Sequence, residues 1–156
     1  MIAKFENTGQ RTSSVLFQHL AKTISAEQVD LLKKHLKPYR FQTGERILAQ
    51  NSQHNGLYMI ESGQVVIQIV CEDGSTLRLR TLGAGAFFGE MGLYSGEPAS
   101  ADVVAEQPTS LLVLMADDLA ALEKTSPQVA AALHRFIIEY MSERLAKFTA
   151  TIQALL

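Results

Sequence analysis

The densest chemistry in this chain of 156 residues lies between Gly83 and Ala105, GAGAFFGEMGLYSGEPASADVVA, where glycines lead into Phe88-Gly89-Glu90-Met91 and then into small residues. Gly83, Gly85 and Gly89 let backbone approach a ligand closely and accept positive φ without penalty. A short helical turn opening near Gly89 would aim unpaired N–H groups at an anion, as a phosphate cradle does. Glu90 inside that cradle is electrostatically out of place, because a carboxylate repels phosphate unless it accepts a hydrogen bond from another part of the ligand, such as a sugar hydroxyl. The glycine spacing does not fit a dinucleotide fingerprint, and no βαβ unit surrounds it.

Other chemistry is poorly supported. Ser95 stands in Gly92-Leu93-Tyr94-Ser95-Gly96, which is not a nucleophile elbow. Glu90 and Asp102 are not spaced for paired acid and base work, and His19, His35, His54 and His134 have no metal-ligand spacing, so they read as surface or packing residues. These features predict neither an enzyme nor a metal site. A net charge of -2 from 14 basic and 16 acidic residues gives no overall drive toward nucleic acid or anionic membrane. Lys33-Lys34-His35-Leu36-Lys37 reads as a solvated helix face. Cys71 is the sole cysteine, which suits a reducing compartment and predicts a cytoplasmic location. No apolar run approaches the ~20 residues of a membrane span, and MIAKFENTGQRTSS has no signal-peptide core.

The elements that must position the glycine-rich loop follow from periodicity. With 47% hydrophobic and 19% charged residues, the chain has material for one core, and a single domain is expected over 13–156 after a polar, frayed stretch at 1–12. Helices are predicted from Ser14 to about Thr23 and from Ser25, where Ser25 and Gln28 make a capping box and Pro38 ends the helix. From about 39 to 115 the period is two, predicting strands at Tyr39–Thr43, Arg46–Gln50, Gly56–Glu61, Gln64–Val70, Thr76–Leu82, Ser100–Ala105 and Ser110–Leu114. Between them Gly44-Glu45, Asn51–Asn55, Ser62-Gly63 and Asp73-Gly74 carry turn chemistry. From about 117 to 155 the pattern is helical again. Ala116-Asp117-Asp118 starts a helix ending near Lys124, and Ser126-Pro127 opens a second that runs to about Ala154, with serine as the cap. At 1.5 Å per residue that last helix is about 40 Å long, more than is needed to cover a small roll. Ile137, Met141, Leu145, Phe148, Ile152 and Leu155 repeat along it as a seam that calls for a partner helix, predicting a homodimer.

The run Phe88 to Leu93 followed by Ser100-Ala101 resembles the phosphate-binding cassette of the cyclic nucleotide-binding domain family in order and spacing, and the resemblance extends from about Phe17 to Leu155. It implies a mainly β fold with flanking helices: a double-stranded β-helix, or jelly-roll-like β-roll, of eight strands, with N-terminal helices and a long C-terminal helix. It also implies a regulatory sensor domain without a catalytic cofactor, whose ligand is cyclic AMP or cyclic GMP. Carried onto this sequence, the ligand-binding positions are Gly89, Glu90, Met91, Gly92, Ala99, Ser100 and Ala101. The family's glutamate takes the ribose 2′-hydroxyl and its arginine pairs with the cyclic phosphate; here Glu90 is present and Ala99 stands in the arginine position. The resemblance therefore implies an amide cradle and a sugar contact without the main positive charge, hence weak binding. A narrower likeness, in Leu79–Gly83, Gly89–Tyr94 and Ala132–Ile137, is to the domain at the C-terminus of some bacterial sulfate permease-type transporters, implying a membrane transporter as parent or partner. No DNA-binding module is expected within these residues.

Two cations are candidates to replace the missing charge. Arg80 alternates with Leu77, Leu79 and Leu82, and parity leaves open whether it faces solvent or the roll, with solvent favoured because arginine is rarely buried unpaired. Arg144 lies in the part of the long helix that, in the family, closes over the base, although an ordinary surface charge, pairing with Tyr140 or with the partner helix of Glu143, is the favoured reading. Glu97 precedes the vacated position and makes it less hospitable to an anion. The rival expectation is a ligand-free dimerisation domain in which the cassette is only scaffold.

Overall fold

The apolar alternation between Lys37 and Met115 folds into eight strands among the residues described by the computed structural model, 15–156. They are β1 (Lys37–Phe41), β2 (Arg46–Leu48), β3 (Gly56–Ser62), β4 (Gln64–Val70), β5 (Thr76–Gly83), β6 (Phe87–Phe88), β7 (Asp102–Ala105) and β8 (Thr109–Met115). All pair antiparallel, in two four-stranded sheets of order β1-β8-β3-β6 and β2-β7-β4-β5. Helices α1 (Val15–Leu20) and α2 (Ala26–Lys33) come before the roll, α3 (Glu90–Ser95) interrupts it, and α4 (Ala116–Thr125) and α5 (Pro127–Leu155) follow. The expectations for 1–12, and Ser14 as a helix start, lie outside the described residues.

The first sheet is buried on both faces. Leu57, Met59, Phe87, Leu112 and Leu114 face the helices and join Leu20, Leu32, Leu122 and Leu133 in one core cluster. Ile60, Phe88, Leu111 and Val113 face the second sheet and pack with Ile47, Val65, Ile67 and Val103. Neighbouring Phe87 and Phe88 thus enter opposite cores, as the two-residue period of a strand requires. For the same reason β8, TSLLVLM, is an almost unbroken apolar run rather than an alternating one.

Local signals act largely as the sequence predicts, with three corrections. The capping box is formed: Gln28 N–H donates to Ser25 Oγ at 3.2 Å and Ser25 N–H donates to Gln28 Oε1 at 2.9 Å. However, α2 stops at Lys33, and Pro38 lies inside β1, which begins two residues before the predicted Tyr39. β1 is an edge strand, where an absent N–H need not break a ladder. Ser126 makes no side-chain cap; instead its carbonyl accepts from Ala130 N–H at 3.1 Å. Ile137 does not lie on an exposed seam, being 2% exposed and packed in the chain's own core, with Met141 partly buried against the same cluster.

Turn glycines separate two kinds of constraint. Gly63 (φ +94°) sits where an added Cβ would lie 2.4 Å from the Pro108 carbonyl oxygen and 2.7 Å from Thr109 Cα, whereas Gly74 (φ +84°) faces open space. Gly63→Ala should therefore cost about 3 kcal/mol, combining backbone strain with overpacking, and Gly74→Ala about 1 kcal/mol. At roughly 2–4 °C per kcal/mol, thermal denaturation should show a drop of about 6–12 °C for the first and about 2–4 °C for the second. Equal shifts would contradict the packing assignment at Gly63.

Candidate functional site

The turn from β6 into α3 is made by Gly89, whose φ of +91° is left-handed and whose missing Cβ would lie 2.5 Å from the Gly56 carbonyl oxygen and 2.8 Å from Tyr58. Tyr58 in turn stacks on Phe88, with ring centroids 5.1 Å apart and planes within 4°. One turn later the same closeness recurs at Gly92, where a Cβ would stand 2.4 Å from His54 Cε1 and 2.5 Å from the His54 carbonyl oxygen. The first intrahelical bond of α3 runs from Leu93 N–H to the Gly89 carbonyl, so the N–H groups of Glu90, Met91 and Gly92 have no partner within the helix.

This turn forms one wall of an open cleft of about 460 Å³, counted with the solvent at its mouth. Gly89, Glu90, Met91, Ala99, Ser100 and Ala101 all line it, and Arg80 and Arg144 line it as well. Gly92 does not; it is buried against His54, so its part is to let α3 lie close. Ala99 is 6% exposed, and its backbone is clamped by the β2–β3 loop: its N–H donates to the Ser52 carbonyl at 2.9 Å, and Asn51 N–H donates to its carbonyl at 2.7 Å. Glu97 is exposed and stands outside the lining.

The floor is a single row of residues across the second sheet. Leu48 on β2 pairs with Val103 on β7, Val103 with Ile67 on β4, and Ile67 with Arg80 on β5. Arg80 shares this face with Leu82, two residues along β5, and a register shift then separates it from Arg78: Ile67 pairs with Arg80 but Gln68 pairs with Arg78, leaving Leu79 as the extra residue. Bulges of this kind re-aim side chains beside binding sites. Arg78 is consequently turned away and pairs with Glu106 at 2.5 Å, while Arg80 is exposed and, among the described residues, makes no ion pair. Strict alternation would place both arginines on one face, and the bulge separates them.

Arg144 closes the opposite side from α5. Its Nη1 lies 3.8 Å from Glu90 Oε1, with the two side chains 18% and 16% exposed, and its guanidinium stands 5.6 Å from the Tyr140 ring centroid. Tyr140 packs on Phe87, centroids 4.1 Å apart. Burial pushes the Tyr140 phenol above its ordinary range, and Arg80's charge is among the influences opposing that shift. A second tether joins α3 to α5, with Tyr94 Oη 2.8 Å from His134 Nδ1. Burial and the Glu123 carboxylate push Tyr94 up to about 12, so the phenol keeps its proton. His54, read from sequence as surface or packing, lines the cleft beside Glu90; burial holds its imidazole below the usual range. Leu48, Ile67 and Val103 were not singled out from sequence, because only strand register places them in one row.

Residues 38–126 match the family model for the cyclic nucleotide-binding domain. Over 130 residues the chain is 33% identical to the cyclic AMP receptor protein of Thermus thermophilus, covering 83% of this chain and 58% of that protein. Over 138 residues it is 28% identical to glutaminase 2 of Bradyrhizobium diazoefficiens, covering 88% of this chain and 21% of that one. It thus spans less than two thirds of the length of either relative. A solved cyclic nucleotide-binding domain from Methylobacillus flagellatus superposes with a TM-score of 0.82 over 90% of this chain and 82% of that chain, at 23% identity, a likeness of fold. With the β-roll, the Gly89–Glu90 turn and the small-residue entry to β7 in place, the family match leads to one conclusion: this chain belongs to the cyclic nucleotide-binding domain family.

Proposed function

We propose that this chain is a regulatory module whose cleft takes a cyclic nucleotide weakly, and that it passes occupancy to an effector through α5. The observation that carries the reading is the composition of the cleft wall: Glu90 and the unpartnered amides of α3 stand on one side, and Ala99 stands where the family has its phosphate-binding arginine. Losing one partner of a desolvated charge pair costs about 2–5 kcal/mol, or roughly 30- to several-thousand-fold in affinity. The role is regulatory rather than catalytic. The site of action is taken to be the cytoplasm, in keeping with a single free cysteine; no helix among the described residues is long and apolar enough to cross a membrane. A sulfate permease-type transporter is the effector that the sequence resemblance names.

The coupling follows from Glu90. Its carboxylate faces Arg144 on α5, and a sugar hydroxyl bound at Glu90 would compete for that contact and bias the position of the helix. Tyr94 and His134 link the same two helices, so movement of α3 is felt on α5 through two contacts.

Assembly is proposed to use the far end of α5. Beyond Met141, Leu145 (66% exposed), Phe148 (61%), Ile152 (43%) and Leu155 (81%) form an apolar stripe that touches no core cluster of the chain. A second copy, offering the same stripe, would cover it.

Calorimetric titration with cyclic AMP and cyclic GMP should give dissociation constants weaker than about 1 μM, and Ala99→Arg should tighten binding at least about tenfold. A submicromolar constant for the wild type would contradict the assignment of Ala99 as the limiting position. In sedimentation at tens of micromolar the wild type should be a dimer, and a double Leu145→Lys, Phe148→Glu variant a folded monomer, because neither side chain contributes to the core. A monomeric wild type would refute the pairing.

A further inference from the structure

A histidine is packed on the turn whose amides open toward the cleft. A Cβ at Gly92 would stand 2.4 Å from His54 Cε1 and 2.6 Å from His54 Nδ1, so the imidazole lies directly against the first turn of α3. That is the turn in which the N–H groups of Glu90, Met91 and Gly92 have no partner within the helix. His54 also lines the cleft together with Glu90 and Ala99. Its own bonding is incomplete: Nδ1 is enclosed and makes no hydrogen bond among the described residues. An enclosed nitrogen without a partner costs stability, so a ring held in this way needs an account.

The surroundings of the ring set its charge. Burial disfavours the protonated form and holds the imidazole below its usual range, while the Gly56 carbonyl of β3 and the Glu90 carboxylate of α3 act in the opposite sense. Tyr58 of β3, with its ring centroid 6.3 Å away, is neutral, because burial pushes that phenol up. Arg144 of α5 and Arg80 of β5 line the same cleft and oppose a further positive charge, although Arg144 is already met by Glu90 at 3.8 Å. The imidazole is therefore neutral at about pH 7. An anion arriving at the α3 amides tips this balance, because a nearby opposite charge favours the charged form. Resting on the reading of the cleft as a nucleotide site, that anion is the cyclic phosphate, which keeps its single negative charge throughout the range in which histidine titrates. We infer that His54 is a conditional cation in this cleft: protonated, it stands in for the charge absent at Ala99, so the nucleotide binds more tightly in acid than at neutral pH. An imidazolium spreads its charge over the ring, so it acts on the phosphate without needing a direct hydrogen bond.

The test is calorimetric titration of cyclic AMP and cyclic GMP into the wild type, His54→Gln and Ala99→Arg at about pH 7.5 and about pH 5.5, either side of the ordinary histidine value. Because the bound anion raises the pH at which His54 takes its proton, affinity must rise as pH falls through that value. The wild type should bind both nucleotides at least about fivefold more tightly at the lower pH, whereas His54→Gln, polar but without a titrating proton, should change by less than about twofold. In NMR of the wild type, saturating nucleotide should move the titration of the His54 imidazole up by at least about 0.7 pH unit, the same fivefold read from the proton's side. Thermal denaturation at both pH values checks that the variants are folded; should His54→Gln not fold, the imidazole titration decides alone. Affinity level with pH, an equal rise in His54→Gln, or an imidazole titration unmoved by nucleotide overturns the inference. Binding at the lower pH by Ala99→Arg but not by the wild type overturns it too, since His54 then does not replace the arginine. Absence of binding by Ala99→Arg at millimolar nucleotide and either pH would instead overturn the nucleotide reading of the cleft itself.

Discussion

Two missing side chains hold the site together. At Gly89 and again at Gly92, α3 lies so close to β3 and the loop before it that a methyl group would meet the Gly56 carbonyl oxygen at 2.5 Å and His54 Cε1 at 2.4 Å. Backbone packed against backbone leaves little freedom of position, and interiors transmit such constraints because they are close-packed. The direction of the α3 amides, the placement of Glu90 and the distance from that wall to α5 all follow from this contact. The Tyr58–Phe88 stack braces it from the side, so the turn into α3 is built into the roll rather than a loop resting on it.

The same rigidity gives α5 three successive environments. Val129, Leu133, Phe136 and Ile137 belong to the helical core; Tyr140 and Arg144 reach the cleft; Leu145, Phe148, Ile152 and Leu155 are exposed. From Leu133 to Phe148 is about 22 Å of continuous helix. A change at Glu90 therefore acts near the middle of a lever anchored at one end, with its apolar stripe at the other.

Much of this was legible in the sequence, for physical reasons that also explain the failures. The Ser25 capping box, the turn glycines and the glycine-rich turn into Glu90 are local signals whose chemistry does not depend on distant residues, and they stand where they were read. β6 was missed because a two-residue strand has no period. Pro38 ended no helix because its position on a sheet edge removes the objection to proline. The bulge at Leu79 is a property of pairing with β4, invisible in a single strand; Arg80 is exposed, as the preferred reading had it, and it also lines the open cleft. Ile137 was counted in the exposed seam because heptad spacing identifies a face of the helix without saying where the chain's own core stops covering it.

The central claim is that the α3 amides, Glu90 and Arg80 belong to one nucleotide site lacking its arginine at position 99. Amide chemical shifts in ¹⁵N-labelled protein, followed as cyclic GMP is added to millimolar concentration, test it most directly, because they register weak binding residue by residue. The account predicts saturable shifts at Glu90, Met91, Gly92, Ser100, Ala101 and Arg80, with smaller ones at Tyr140 and Arg144. Saturable shifts confined to other surfaces, or none at any concentration, would contradict it.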